Sequence, residues 1–169
     1  QATPLANAQH AQVSVAEILM RPLLPQRIPD VSNLEQAASA FPWTGKMYAD
    51  SLDAGYWGGT LCQGTQLLGV AVVSSAVGES HLLNMFIALG RQGQGFGGLL
   101  LKGACQHACD AGADKMFLEV RAGNGRAINL YRSVGFQQIG IRKDYYPGPL
   151  DREDAVCMAL NLSEYILEC

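Results

Sequence analysis

The sequence predicts an α/β or α+β domain in which helices flank one mixed central sheet. Three observations carry this. Short apolar runs of strand length alternate along the chain with helix-patterned segments. Of the 169 residues 49% are hydrophobic, enough for a packed core and too many for general disorder. No internal repeat or interdomain linker interrupts the pattern, so residues 13–169 read as one domain behind a loose, Ala/Gln-rich tail at 1–12.

Each element has a local reason. "VSVAEILMRPL" can give a first strand, and "PDVSNLEQAASA" reads as a helix with Pro29 or Asp30 near its start. "FPW" (Phe41 to Trp43) is an aromatic-proline corner, after which Thr44 can cap the helix "GKMYADSLDAG". "YWGGTLCQGTQLLGVAVVSS" reads as two strands about a turn at Gln63-Gly64. "HLLNMFIAL" is a further strand, and a glycine loop opens the helix that follows and ends near Gly112. "KMFLEV" is a strand, "NGRAINLYRSV" a helix stopped by Gly135, and "FQQIGIRKDYY" and "AVCMALNL" the last two strands.

Composition excludes several classes. A net charge of −3 carries no sign of a nucleic-acid binder and suits a neutral or basic partner. Five scattered cysteines do not form a disulfide framework and read as thiols of a reducing cytoplasm. Cys105, His107, Cys109 and Asp110 lie close in sequence, but on a helix His107 points away from the cysteine face and no second ligand pair follows; no metal is expected. The longest apolar run, from Leu67, is too short to span a membrane, and no basic segment followed by an apolar core marks a signal peptide. A cytoplasmic protein without membrane or nucleic-acid partners is expected.

The chemistry begins at "RQGQGFGGLLLKG", Arg91 to Gly103, where Gly93, Gly95, Gly97 and Gly98 crowd the mouth of a helix. A strand, a glycine loop and a helix N-terminus aim free backbone N–H groups and the helix dipole at one point, which suits a phosphate. A mononucleotide P-loop would need Gly-Lys-Ser/Thr, and Lys102 comes too late for that. Gly93-x-Gly95-x-x-Gly98 does match the dinucleotide fingerprint, with Glu119 at about the spacing of a ribose-binding acid. However, the loop lies past the midpoint of the chain, and Glu119 sits inside an apolar strand.

"QGQGFG" (Gln92 to Gly97) resembles the Gln/Arg-x-x-Gly-x-Gly pyrophosphate loop of the GNAT acetyltransferases. "LEVRAGNGRAINLYRSVGF" is similar to the second hallmark of their RimI branch, and "EQAASAFPWT" and "YYPGPLDREDAVCMAL" to its flanking blocks. The four blocks stand in order between about Ile18 and Leu160. Three positions depart from the branch: Ala88-Leu89 replaces an Asp-Pro pair, Gly98 an arginine, and Gly123 a serine.

The resemblance implies the GNAT acyl-CoA N-acyltransferase fold, with the sheet splayed between its fourth and fifth strands to admit acetyl-CoA as co-substrate. It implies as substrate the α-amine of a protein N-terminus, in this branch the N-terminal alanine of small ribosomal subunit protein eighteen. It implies backbone contacts from Met85, Phe86 and Ile87 to the pantetheine arm, and from Gly93, Gln94, Gly95, Phe96, Gly97 and Gly98 to the pyrophosphate.

Alternation in "KMFLEV" puts Glu119 on the face of Phe117, opposite Met116, Leu118 and Val120. A carboxylate there is costly unless it has a task or a partner; it is either a general base or half of an ion pair, with Arg121 the nearest candidate. Tyr131 falls on one helix face with Asn124 and Ile128, an ordinary core position. The resemblance implies for it the role of general acid to the departing sulfur, and for Asn124 a bond to the pantetheine arm beside its role as N-cap. Trp43, Tyr145 and Tyr146 either wall the peptide slot or pack in the core. Acids at 144, 151, 153 and 154 alternate with Arg142, Lys143 and Arg152, as a basic-peptide attractor or a solvated loop would. Three rivals stand beside this reading: a GNAT enzyme acting on lysine or a small amine, a nicotinamide-dependent oxidoreductase, and an acyl-CoA sensor.

Overall fold

The computed structural model describes residues 16–166, and the tail expected at 1–12 lies outside them. Seven strands and five helices follow in order: β1 (Ile18–Pro22), α1 (Ile28–Ala38), α2 (Gly45–Asp53), β2 (Trp57–Gln63), β3 (Gln66–Ala76), β4 (Glu79–Ile87), α3 (Phe96–Asp110), β5 (Lys115–Arg121), α4 (Gly125–Val134), β6 (Gln137–Tyr146), β7 (Glu153–Asn161) and α5 (Leu162–Ile166). The expected strands and helices all appear. The first strand is shorter than "VSVAEILMRPL" among the described residues, and α5 was not foreseen.

Local chemistry sets the boundaries. Pro29 occupies the first turn of α1, where its missing N–H costs nothing. Thr44 accepts from the Met47 amide at 3.2 Å and Asn124 from the Ala127 amide at 3.2 Å, capping α2 and α4. Gly135, at φ 117°, closes α4 in the left-handed conformation that a side chain would resist. Gly58–Cys62 of β2 and Leu67–Val73 of β3 are buried without a break, which explains a continuous apolar run where a half-exposed strand would alternate.

The strands form one sheet in the order β1-β2-β3-β4-β5-β7-β6. All neighbours are antiparallel except β4 and β5, which run parallel. That parallel pairing covers only Glu79–His81 against Lys115–Phe117; from Leu82 and Leu118 onward the two strands part. The sheet thus opens in its middle, as the fourth and fifth strands were expected to do.

Two apolar clusters cover the two faces. Leu100, Leu101, Met116, Leu118, Phe136 and Met158 pack with α3 and α4 on one face. Val31, Tyr48, Val70, Val72 and Phe86 pack with α1 and α2 on the other. The outermost strand, β6, is exposed along most of its length, with Ile139 and Ile141 in solvent. Its pairing with β7 breaks register between Arg142 and Tyr146, where Asp144 adopts φ 50°.

Candidate active site

The parted strands bound a cleft that passes through the sheet. One cavity of about 840 Å³ is walled by Leu82–Phe86 of β4 and Leu118–Arg121 of β5, and reaches Phe41, Trp43, Asn124, Tyr131, Tyr146 and Glu153. A second, of about 420 Å³, runs on from Met85, Phe86 and Asn124 past Ile87 to Gly93, Gly95, Gly97, Gly98, Arg126 and Leu130. Shared wall residues make them one passage from the glycine loop to the opening in the sheet.

The glycine loop leaves the first-turn amides of α3 open. Gly93 and Gly95 have φ of 74° and 85°, and Gly95 caps α3 without any side-chain acceptor for the first-turn amides. Gly97 has ordinary φ but is closely packed: a Cβ there would lie 3.1 Å from Leu130 Cδ2 of α4, which would have to give by a few tenths of an ångström. Arg126, which the sequence reading did not single out, comes from α4 over this loop. Its guanidinium donates to Gln92 Oε1 at 2.9 Å, and Gln92 Nε2 donates to the Ile87 carbonyl at 3.2 Å. The passage therefore has a cation at its glycine-loop end although position 98 is glycine. Gln94 turns back to the Gly90 carbonyl and the Phe96 side chain is buried, so neither lines the passage.

At the other end the two candidate catalytic residues approach from opposite faces. Arg121 Cζ stacks 3.5 Å from the Phe41 ring centroid, on the α1–α2 side, and Glu119 shares the face of Arg121 on β5. Tyr131 instead packs in the α3–α4 cluster, edge-on to Phe136 at 5.7 Å, with only 7% of its surface exposed. Burial and, secondly, the neighbouring Tyr146 push its hydroxyl up to about 12, so it keeps its proton across the physiological range.

The ion-pair partner of Glu119 is not Arg121. Arg142 Nη2, from β6, lies 3.7 Å from Glu119 Oε1, and the arginine side chain is 58% exposed, so the pair is loose. Arg121 is taken by other partners: it donates to the Pro147 carbonyl at 2.9 Å and Glu153 Oε2 at 3.0 Å, and lies between Phe41 and Tyr146. Glu153 also accepts from the Gly123 amide at 2.9 Å, and that bond first, then Arg121, holds its carboxyl below the usual range. A Cβ on Gly123 would lie 2.8 Å from Glu153 Oε1, so a larger residue there would shift the Glu153 carboxyl. Trp43 and Tyr146 line the cavity, whereas Tyr145 stands outside it against Tyr146 and Arg142.

Sequence reasoning also missed a buried polar triangle on the cavity wall. Tyr48 donates to Glu35 Oε2, and Asn84 Nδ2 donates to Glu35 Oε1 and to the Tyr48 hydroxyl, each at 3.0 Å. The available signal was an acid at 35 in register with Ile28 and Val31, the buried face of α1. Outside the cleft, Cys105 is buried and His107 stacks on Trp57 at 4.6 Å, its pKa lowered by burial.

The profile of the acetyltransferase (GNAT) family matches residues 28–136, well over half the chain and nearly all of the passage. The chain belongs to the GNAT acetyltransferase family. Among its GNAT relatives, the [ribosomal protein bS18]-alanine N-acetyltransferase of Escherichia coli strain K12 is 37% identical over 136 residues, 80% of this chain and 92% of that protein. A Bacillus subtilis protein named putative [ribosomal protein bS18]-alanine N-acetyltransferase is 30% identical over 143 residues, 82% of this chain and 93% of that one. The crystal structure of the E. coli ribosomal-protein-S18-alanine N-acetyltransferase superposes with a TM-score of 0.81 at 34% identity, covering 86% of this chain and 94% of that one. A spermidine N-acetyltransferase chimera from Vibrio cholerae and hSSAT reaches 0.78 at 18% identity, over 88% of this chain and 98% of that one, and shares the GNAT fold alone. No helix among the described residues is long and apolar enough to cross a membrane.

Proposed function

We propose that this enzyme, one domain from residue 13 onward, transfers acetyl from acetyl-CoA to the α-amine of an N-terminal alanine, that of ribosomal protein bS18, in the cytoplasm. The observation that carries the reading is the passage through the sheet, with a phosphate cradle at one end and Glu119 and Tyr131 on opposite faces at the other. Relatives named for this activity, matched over nearly their whole length, support the substrate.

The residues present fit the co-substrate. The main chain of Met85, Phe86 and Ile87 borders the gap where β5 has withdrawn, so a pantetheine arm can lie along it in place of a strand. The N-terminus of α3 with Gly93 to Gly98 and Arg126 receives the pyrophosphate. When bound, acetyl-CoA supplies the reactive thioester. Asn124, which lines both parts of the passage, holds the arm between them.

Glu119 then takes a proton from the amine, directly or through one water, as nitrogen bonds to the acetyl carbon and the carbon–sulfur bond breaks. Tyr131 returns a proton to the sulfur from the opposite face. No acyl-enzyme is required. An α-amine has a reference pKa near 8, so about a tenth is neutral at pH 7; a lysine, near 10.4, asks far more of the base. Trp43 and Tyr146 flank the peptide, and Arg121 ties the two lips of the slot together.

The deciding experiment supplies acetyl-CoA and an Ala-initiated, arginine-rich peptide, follows thiol release, and locates the modified nitrogen by mass spectrometry. Transfer to the α-nitrogen alone is expected, and none to a peptide with a blocked N-terminus. Lysine or polyamine acetylation with an untouched α-amine overturns the substrate assignment.

The pH profile follows from the same groups. kcat/KM for the peptide should rise through the amine's own pKa near 8 and stay level to about pH 10, because Tyr131 loses its proton only at about 12. A descending limb between pH 8 and 10 would remove Tyr131 as the acid.

A further inference from the structure

We propose that the side-chain carbonyl oxygen of Asn84 accepts an N–H of the incoming amine, and that Glu35 and Tyr48 hold it in that orientation. The proposal rests on the acetyl-transfer reading given above.

Asn84 belongs to β4 at the point where the strand has just parted from β5, and it lines the cavity. It shares a face with Phe86, which packs under α1 and α2, so its side chain stands on the α1–α2 side. Glu119, across the gap, stands on that side too, through the stacking of Arg121 on Phe41. The two groups are therefore on facing banks of the slot through which the amine arrives.

The orientation of the Asn84 amide is fixed by its partners. The NH₂ end of Asn84 faces Glu35, whose Oε1 accepts from it at 3.0 Å. The Tyr48 hydroxyl spends its proton on Glu35 and accepts the second N–H of Asn84. Both Asn84 donors are thereby committed to one side, and its acceptor is left for the cleft. Glu35 is 2% exposed, behind Asn84, and no cation pairs with it among the described residues. A buried carboxylate so placed keeps the amide from flipping.

The chemistry has a use for a second acceptor. A neutral amine attacks with its one lone pair, which must point at the acetyl carbon while its N–H bonds point elsewhere. Glu119 receives one N–H and Asn84 a second, from opposite banks, and together they aim the lone pair into the sheet. Asn84 is then a substrate-binding residue; Glu35 acts through it and is a positioning residue.

The test uses full-length enzyme with acetyl-CoA and the Ala-initiated peptide, comparing wild type, Glu35→Gln, Tyr48→Phe, Asn84→Asp and the exchange Glu35→Gln with Asn84→Asp. Glu35→Gln lets the Asn84 amide turn, and should raise the peptide KM about tenfold, the scale of one charge-linked hydrogen bond. Acetyl-CoA Kd, read by calorimetry, should stay within about twofold. The exchange restores a carboxylate–amide pair with an oxygen facing the cleft, and should recover most of the lost KM. A general packing defect would not be rescued this way. An unchanged peptide KM in Glu35→Gln, an equal loss of acetyl-CoA affinity, or an exchange no better than Glu35→Gln would each overturn the proposal. If Asn84→Asp fails to fold, Glu35→Gln and Tyr48→Phe still decide it. A wild type that binds acetyl-CoA but acetylates no amine overturns the functional reading as well; an active wild type indifferent to Glu35→Gln overturns this proposal alone.

Discussion

Glu119→Gln should lower kcat at pH 7 by about 10²- to 10⁴-fold, the range of a positioned general base, and leave acetyl-CoA Kd unchanged. The substitution keeps the size of the side chain and loses only a loose, solvent-facing pair with Arg142, so stability should move by no more than about 0.5 kcal/mol. The deficit should narrow toward pH 9, as hydroxide and buffer bases take over the proton removal that Glu119 would perform. Tyr131→Phe should show the opposite pattern: a deficit of about 10²-fold that does not narrow with pH, because no buffer species replaces a donor buried in the α3–α4 cluster. Steady-state and single-turnover rates over pH 6 to 10 separate the two. Equal deficits at every pH for both variants would place neither in a proton-transfer role.

Gly69→Val should be the most damaging change away from the chemistry. Gly69 lies in β3 opposite Ile87, and a Cβ there would come within 2.7 Å of the Phe86 carbonyl oxygen and 2.6 Å of Ile87 Cδ1. The first is main chain and has no rotamer to escape into, so β4 itself must shift, and β4 is the wall along which the pantetheine arm would lie. Overpacking of this kind costs about 1–3 kcal/mol of stability. A displaced strand should raise acetyl-CoA Kd by about tenfold or more, on the arithmetic of 1.4 kcal/mol per decade. Gly98→Ala is the control for stability alone: a Cβ there meets nothing within 4 Å and φ is ordinary. It should be neutral or stabilising by about 0.5–1 kcal/mol, as alanine usually is in place of a helical glycine. Thermal melts with and without acetyl-CoA read both effects; a Gly69→Val protein with wild-type affinity would show that β4 tolerates displacement.

Much of this was legible in the sequence because it is local. Thr44, Asn124 and Gly135 mark helix ends through bonds to residues three positions away or through a single backbone angle. Alternation in "KMFLEV" put Glu119 on one face with Arg121, and the crowded glycines marked the loop that opens α3. What escaped depends on elements distant in sequence. Glu35, Tyr48 and Asn84 meet only when α1, α2 and β4 are assembled. Arg142 replaces Arg121 as the partner of Glu119 because β6 lies just beyond β7, one strand removed from β5, a neighbourhood no spacing encodes. Arg126 reaches the glycine loop across the gap between two helices, and Gly69 is indistinguishable from any other strand glycine until β4 lies beside it.

The break in β6 bears on how the molecule behaves when crowded. A long, regular outermost strand is a template on which another chain can add itself, the usual beginning of edge-to-edge association. Here Ile139 and Ile141 would be the sticky part. The ladder is interrupted directly after them, however, by a residue in the left-handed region, and Arg142, Lys143 and Asp144 put charge of both signs at the interruption. An incoming strand would find at most a short stretch to copy before meeting a kink and ions it must strip of water. The irregularity between Arg142 and Tyr146 thus leaves the outer edge of the sheet a poor template for strand addition.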